Sequence, residues 1–126
     1  MSKAKFYICE HCGNIVEKID DKKVPVVCCG QKMTEIVAGT VDASREKHVP
    51  VVEIKDGTVK VTVGAVLHPM TKEHSIEWIY LETERGSQIK KLLPEEAPEA
   101  TFTLSLDKPV AVYAYCNLHG LWKTEI

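Results

Sequence analysis

The chain has 126 residues, of which 27% are charged and 44% hydrophobic, with a formal net charge of -2. That composition is globular rather than disordered, and the length suits one domain or a small domain plus a medium one. The charge balance leaves no basic footprint for nucleic acid, and the opening "MSKAKFYICE" has no apolar run of signal-peptide or membrane-spanning length. These features predict a cytoplasmic protein with neither nucleic acid nor membrane as a partner. In that compartment thiols stay reduced and clustered cysteines hold metal more often than they pair. The cysteine count of 5 is odd, which also argues against a pure disulfide framework.

Composition shifts near residues 36 to 40. Residues 1–36 carry Cys9, Cys12, Cys28 and Cys29 and few large apolar side chains. A segment so small buries little core and needs a staple. Cys9-x-x-Cys12 is a two-ligand knuckle, with Gly13 free to take the positive φ that such turns need. After fifteen intervening residues comes Cys28-Cys29-Gly30. A disulfide between neighbours closes a strained ring, so a metal within reach of both sulfurs is the better reading. Four thiolates suit tetrahedral zinc or iron, and the spacing alone leaves both open. His11, between the knuckle cysteines, reads as a solvated loop residue.

The remainder of the chain reads as β-structure. "TVKVTV" (Thr58 to Val63) alternates, with Val59, Val61 and Val63 on one face and the turn signal Asp56-Gly57 before it. "SIEWIYLET" puts Ile76, Trp78 and Tyr80 on one side and Ile79 and Leu81 on the other. "LLPEEAPEA" (Leu92 to Ala100), with two prolines, reads as a loop. "TFTLSL" lines up Phe102, Leu104 and Leu106, and "VAVYAYC" lines up Val110, Val112, Ala114 and Cys116. Short strands separated by turn signals predict an antiparallel sandwich with no long helix.

The other histidines all fall in this second region, near strand ends: His48 in "REKHVP", His68 in "LHPM", His74 in "KEHSIEW" and His119 in "YCNLHGLW" with Cys116. Any one alone reads as a surface or packed residue. Loops gathered at one end of a sandwich bring such residues together. Four imidazoles and a thiolate exceed the four ligands of structural zinc. A blue-copper site uses fewer histidines and often a weak axial Met, and no Met follows Cys116. Iron(II) with one open position fits better. The residues by themselves also allow a non-enzymatic electron carrier with a closed second metal, or a binding module stapled by zinc.

Taken in order, "CEHCG…CCG", "EKHVP", "LHPM…EHSIEWI" and "YCNLHGLW" resemble desulfoferrodoxin, the two-iron form of superoxide reductase, over the whole chain. The resemblance implies a mainly β protein. It implies that residues 1–36 form a small desulforedoxin-like domain with a four-cysteine iron centre on Cys9, Cys12, Cys28 and Cys29. It also implies that residues 37–126 form an immunoglobulin-like antiparallel sandwich with a square-pyramidal ferrous site. There His48, His68, His74 and His119 match the equatorial imidazoles and Cys116 the axial thiolate. Glu46 and Lys47 match the family's catalytic pair: the glutamate ligates the oxidised iron and the lysine helps draw in superoxide. The implied reaction is one-electron reduction of superoxide to hydrogen peroxide without release of dioxygen. The family further implies rubredoxin as electron donor and a homodimer. It leaves open whether the four-cysteine centre relays electrons or holds the small domain together.

Overall fold

The computed structural model describes residues 2–126. These fall into two compact units, one spanning Lys3–Val37 and one built on Ala38–Ile126.

The smaller unit has five short strands: β1 (Phe6–Ile8), β2 (Ile15–Glu17), β3 (Val27–Cys28), β4 (Gln31–Lys32) and β5 (Thr34–Ile36). β1 runs antiparallel between β2 and β5, while β3 and β4 form a separate hairpin. Its buried apolar side chains are Phe6, Cys9 and Met33. So few cannot offset the chain entropy of ordering the unit, which is why a cross-link matters here. On its surface Asp21 gathers a loop. It accepts the Lys23 N–H at 2.9 Å and pairs with Lys18 at 3.1 Å and Lys5 at 3.2 Å.

The larger unit begins with the one helix among the described residues, the single turn α1 (Arg45–His48), and continues with seven strands. These are β6 (Pro50–Lys55), β7 (Thr58–Val63), β8 (Ile76–Thr83), β9 (Ser87–Lys91), β10 (Glu99–Thr103), β11 (Pro109–Cys116) and β12 (Gly120–Glu125). They form two antiparallel sheets, ordered β10-β7-β6 and β12-β11-β8-β9, in an immunoglobulin-like sandwich. The predicted valine stripe of β7 is fully buried, and it meets Ile79, Leu81, Phe102, Val112 and Ala114. Each of the valine, isoleucine, leucine and phenylalanine side chains stabilises the fold by roughly 1.5–3 kcal/mol. Asp56-Gly57 makes the two-residue turn between β6 and β7, with φ of 50° and 78°. Positive φ at both central residues suits the right-handed twist of the paired strands.

Three details differ from the sequence reading. Ile76 does not share a side with Trp78 and Tyr80. The neighbours Tyr115 and Cys116 pair with Trp78 and Ile76, so Glu77 is an extra residue. This bulge reverses the alternation and turns Ile76 into the core beside Ile79 and Leu81. Leu106 leaves the stripe of Phe102 and Leu104 because β10 stops at Thr103, and Leu106 stands fully exposed at φ 54°. The proline-rich loop ends sooner than expected, since Glu99 and Ala100 already pair with Thr62 and Val61. Strands β6, β9 and β12 carry no clean alternation: β9 is exposed throughout and β6 nearly so.

Register gathers particular strand ends. Pro50 opens β6 opposite Val63, the last residue of β7. Ile76 opens β8 opposite Cys116, which closes β11 and faces Gly120 of β12. The ends next to His48, His68, His74 and the Cys116–His119 turn therefore lie together within each sheet.

Candidate metal centres

In the smaller unit, the chain leaves β1 at Cys9 and turns back. Gly13 N–H donates to the Cys9 carbonyl at 2.8 Å, with Gly13 at φ 85° as its place after the knuckle predicts. The Cys12 N–H points at the Cys9 sulfur at 3.4 Å, and the Asn14 N–H at the Cys12 sulfur at 3.5 Å. The adjacent cysteines occupy different conformations. Cys28 ends strand β3, whereas Cys29 and Gly30 are the two turn residues before β4, at φ 53° and 74°. The change of backbone region between them swings both sulfurs toward one point, 4.0 Å apart. Cys12 and Cys28 sulfurs are 3.6 Å apart, and all four lie within 4.8 Å of one another.

A tetrahedral metal with bonds of about 2.3 Å places its sulfurs about 3.8 Å apart, so the four donors fit one ion. Their acidities diverge in its absence. The Cys12 N–H pulls Cys9 down to about 6, while hydrogen bonding to Cys12 and Cys9 pushes Cys29 up to about 12. Thiols this crowded share protons, and a cation removes the conflict. The His11 side chain is exposed beside the cluster and is not among its donors.

In the larger unit, four imidazoles form a ring. Neighbouring centroids are 4.5 Å apart for His48–His68, 4.6 Å for His68–His74, 5.0 Å for His74–His119 and 4.9 Å for His48–His119. The opposite corners His48 and His74 stand 6.4 Å apart, so the ring is close to square. Adjacent planes cross at 75° to 86°. The fully buried Cys116 sulfur lies 4.0 Å from His119 Nδ1 and within 4.8 Å of the donor atoms of His48, His68 and His74. The bulge at Glu77 sits beside this cluster and sets where β8 starts after His74.

Hydrogen bonds decide which nitrogens face inward. His48 Nδ1–H donates to the Ser44 carbonyl at 2.6 Å and His68 Nδ1–H to the Pro69 carbonyl at 2.7 Å. A carbonyl only accepts, so both Nδ1 atoms carry the proton. Burial holds His48, His68 and His74 below the usual imidazole range, His68 at about 4, so these rings are neutral. The Nε2 atoms of His48 and His68 then carry only lone pairs. Yet His48 Nε2 lies 3.0 Å from His68 Nε2 and 3.2 Å from His119 Nδ1, and His74 Nε2 is buried without a partner. Lone pairs aimed at each other repel unless a cation stands between them. Bonds of about 2.1 Å to a central metal put adjacent nitrogens about 3.0 Å apart, as observed here.

Burial pushes the pKa of the Cys116 thiol up, and the backbone N–H groups of Leu118 and His119 oppose that rise by pointing at its sulfur. Trp122 supports the ring twice. It stacks on His48 at 5.0 Å, and its Nε1–H donates to the His119 carbonyl at 3.0 Å. Glu46 and Lys47 lie exposed on α1, directly before His48. The Lys47 charge is felt at His48 and His74. The Glu46 carboxylate makes no hydrogen bond or ion pair among the described residues.

The two constellations coincide with two family models. The desulfoferrodoxin model matches residues 40–125, and the model of the desulfoferrodoxin N-terminal domain matches residues 2–36. The chain belongs to the desulfoferrodoxin family. It is 50% identical to the desulfoferrodoxin of Nitratidesulfovibrio vulgaris over 121 residues, 96% of this chain and 95% of that one. It is 39% identical to the superoxide reductase of Pyrococcus horikoshii over 68% of this chain and 90% of that one. Among solved structures, the superoxide reductase of Treponema pallidum superposes with a TM-score of 0.83 at 39% identity, covering 98% of this chain and all (100%) of that one. The one-iron superoxide reductase of Giardia intestinalis gives 0.56 at 33% identity over 64% of this chain and 97% of its own.

Sequence reading passed over several residues that shape the sites. Asn117 was visible inside "YCNLHGLW", and an Asn between a Cys and a His is a usable signal because its amide bonds nearby backbone. Gly64 gave none, since the need for a bare Cα arises from its neighbour α1. The carbonyls of Ser44 and Pro69 carry no side-chain signature at all.

Proposed function

We infer that the chain is a superoxide reductase, an iron oxidoreductase that converts superoxide to hydrogen peroxide and so detoxifies it without releasing dioxygen. The observation that carries this reading is the near-square of four imidazoles with one buried thiol beside it. Cys9, Cys12, Cys28 and Cys29 would hold one iron, and His48, His68, His74, His119 and Cys116 the other. When bound at the five donors, iron supplies the electron with which superoxide, taking up two protons, becomes hydrogen peroxide.

The chain's own residues do the rest. Imidazoles that ligate a metal bring no charge, so with ferrous iron bound beside a single thiolate the site would keep a net positive character toward an anion. The exposed Lys47 ammonium adds to it and raises the local concentration of superoxide, against a chain of net charge -2. The N–H groups of Leu118 and His119 spread the charge of the Cys116 thiolate and tune how strongly it donates. We assign Glu46, one residue from Lys47 and exposed on the same turn, as the carboxylate that caps the oxidised site after product leaves.

The division at residues 36 and 37 we take as the boundary between the four-cysteine domain and the catalytic domain. On family resemblance we propose rubredoxin as the electron donor, a homodimer as the assembly and the cytoplasm as the location. Among the described residues no helix is long and apolar enough to cross a membrane.

The deciding experiment measures metal per chain and the visible spectrum before and after oxidation, followed by superoxide consumption with dioxygen monitored. Two irons per chain, a thiolate-to-iron band that appears on oxidation, and consumption without dioxygen support the reading. A colourless zinc protein from iron-replete cells overturns it.

A further inference from the structure

Two of the four rings are aimed by hydrogen bonds at the ring itself, and a third residue is anchored by a neighbouring side chain. His48 and His68 are aimed by their Nδ1–H bonds to carbonyls, and His119 is anchored through its carbonyl by Trp122. His74 differs. Its ring makes no hydrogen bond among the described residues, and its Nε2 is buried without a partner. Its place is therefore set through its backbone.

That backbone is bracketed by one side chain. Asn117 Oδ1 accepts the N–H of Ser75 at 3.0 Å, and Asn117 Nδ2 donates to the carbonyl of Glu73 at 2.9 Å. The two partners are the residues on either side of His74. The Asn117 N–H adds a third link, to the Ser75 carbonyl at 3.2 Å. Thr71 closes the small turn within: its hydroxyl accepts the His74 N–H at 3.1 Å, and its own N–H donates to the His74 carbonyl at 2.9 Å. A primary amide offers an acceptor and a donor on adjacent atoms, which is what an N–H and a C=O two residues apart require. Asn117 itself sits in the turn between Cys116 and His119.

We propose that Asn117 is a positioning residue that locks the His74 segment to the Cys116–His119 turn, so that the His74 imidazole and the Cys116 sulfur keep a fixed relation. The proposal rests on the reading of these five residues as one iron site. It assigns to Asn117 no contact with substrate. Its effect is on how tightly the site holds iron and how the sulfur couples to it.

The test uses the full chain loaded with iron. Release of iron from the five-donor site to a chelator is followed by the thiolate-to-iron band of the oxidised protein, with the colour of the four-cysteine centre in the same molecule as reference. Asn117→Ala removes both side-chain bonds, and release should become about tenfold faster with the band displaced, in the range typical when a ligand's hydrogen-bonded support is lost. Asn117→Asp keeps the acceptor for Ser75 but sets an oxygen against the Glu73 carbonyl, and should move both readouts in the same direction. Thermal melting is recorded alongside, because a merely structural role lowers the melting temperature without moving the band. Variants that keep the wild-type band and release rate overturn the proposal. A wild-type chain that takes no iron at the five donors overturns instead the function on which it rests, before any variant is made.

Discussion

At the scale of single residues, sulfur and nitrogen divide the chemistry between two places. Cys116 is fully buried at the end of a strand, where burial opposes its ionisation and two backbone N–H groups favour it. Cys116→Ser should abolish superoxide reduction and the oxidation-dependent thiolate-to-iron band, yet leave the colour of the four-cysteine centre. Cys28→Ser should do the reverse, removing that colour while much of the activity survives. Assay and spectrum on both variants check the pair, and complete loss of activity in Cys28→Ser would instead mark the four-cysteine centre as an obligatory relay. Lys47 acts only through its field. Lys47→Ala should slow superoxide capture about tenfold at low salt, and the gap to wild type should narrow as salt rises. Pulse radiolysis at two ionic strengths measures both.

Among elements, the sites depend on how short connections cross one another. The turn after β7 carries His68, and it also holds α1. Val66 N–H donates to the Glu46 carbonyl at 3.0 Å, and His68 N–H to the Val63 carbonyl at 2.9 Å. Gly64 lies directly beneath α1. A Cβ there would stand 2.5 Å from the Glu46 carbonyl oxygen and 2.9 Å from the Lys47 carbonyl carbon. Both are backbone atoms, so α1 itself must move, carrying Glu46, Lys47 and His48 with it. Gly64→Ala should destabilise the sandwich by about 1–3 kcal/mol, as overpacking does, and weaken iron binding at the ring while sparing the four-cysteine centre. Denaturant melts and iron counts on the variant check both parts. The bulge at Glu77 is a second device of this kind, legible only in the pairing of β8 with β11.

For the molecule as a whole, the two units stand on different physical footings. The sandwich has a continuous buried core of valine, leucine, isoleucine and phenylalanine. The smaller unit has Phe6, Cys9 and Met33, and relies on a metal cross-link and on surface charge. Asp21 carries much of that charge. The Lys23 N–H, then Lys18 and Lys5, hold its carboxyl well below the usual carboxylate range. A carboxyl lowered by folding stabilises the fold above its unfolded value, near pH 3.9, and that contribution is lost as pH falls through the folded value. Asp21→Asn should therefore melt the smaller unit at lower temperature near neutrality, and the difference from wild type should shrink below about pH 4. Melts followed through the colour of the four-cysteine centre across that range give the answer.

Much of this protein was determined by its sequence alone. The valine alternation of β7, the Asp56-Gly57 turn and the two clusters of metal-seeking side chains are local patterns, because period, turn chemistry and spacing are properties of neighbouring residues. The family was readable for the same reason: the candidate donors stand in short motifs in a recognisable order. What only the tertiary structure decided is how these pieces meet. It turned Ile76 inward, released Leu106, required a bare Cα at Gly64 and set Asn117 astride His74. Each of these depends on a partner far along the chain, so no stretch of sequence records it until register and packing bring the partner near.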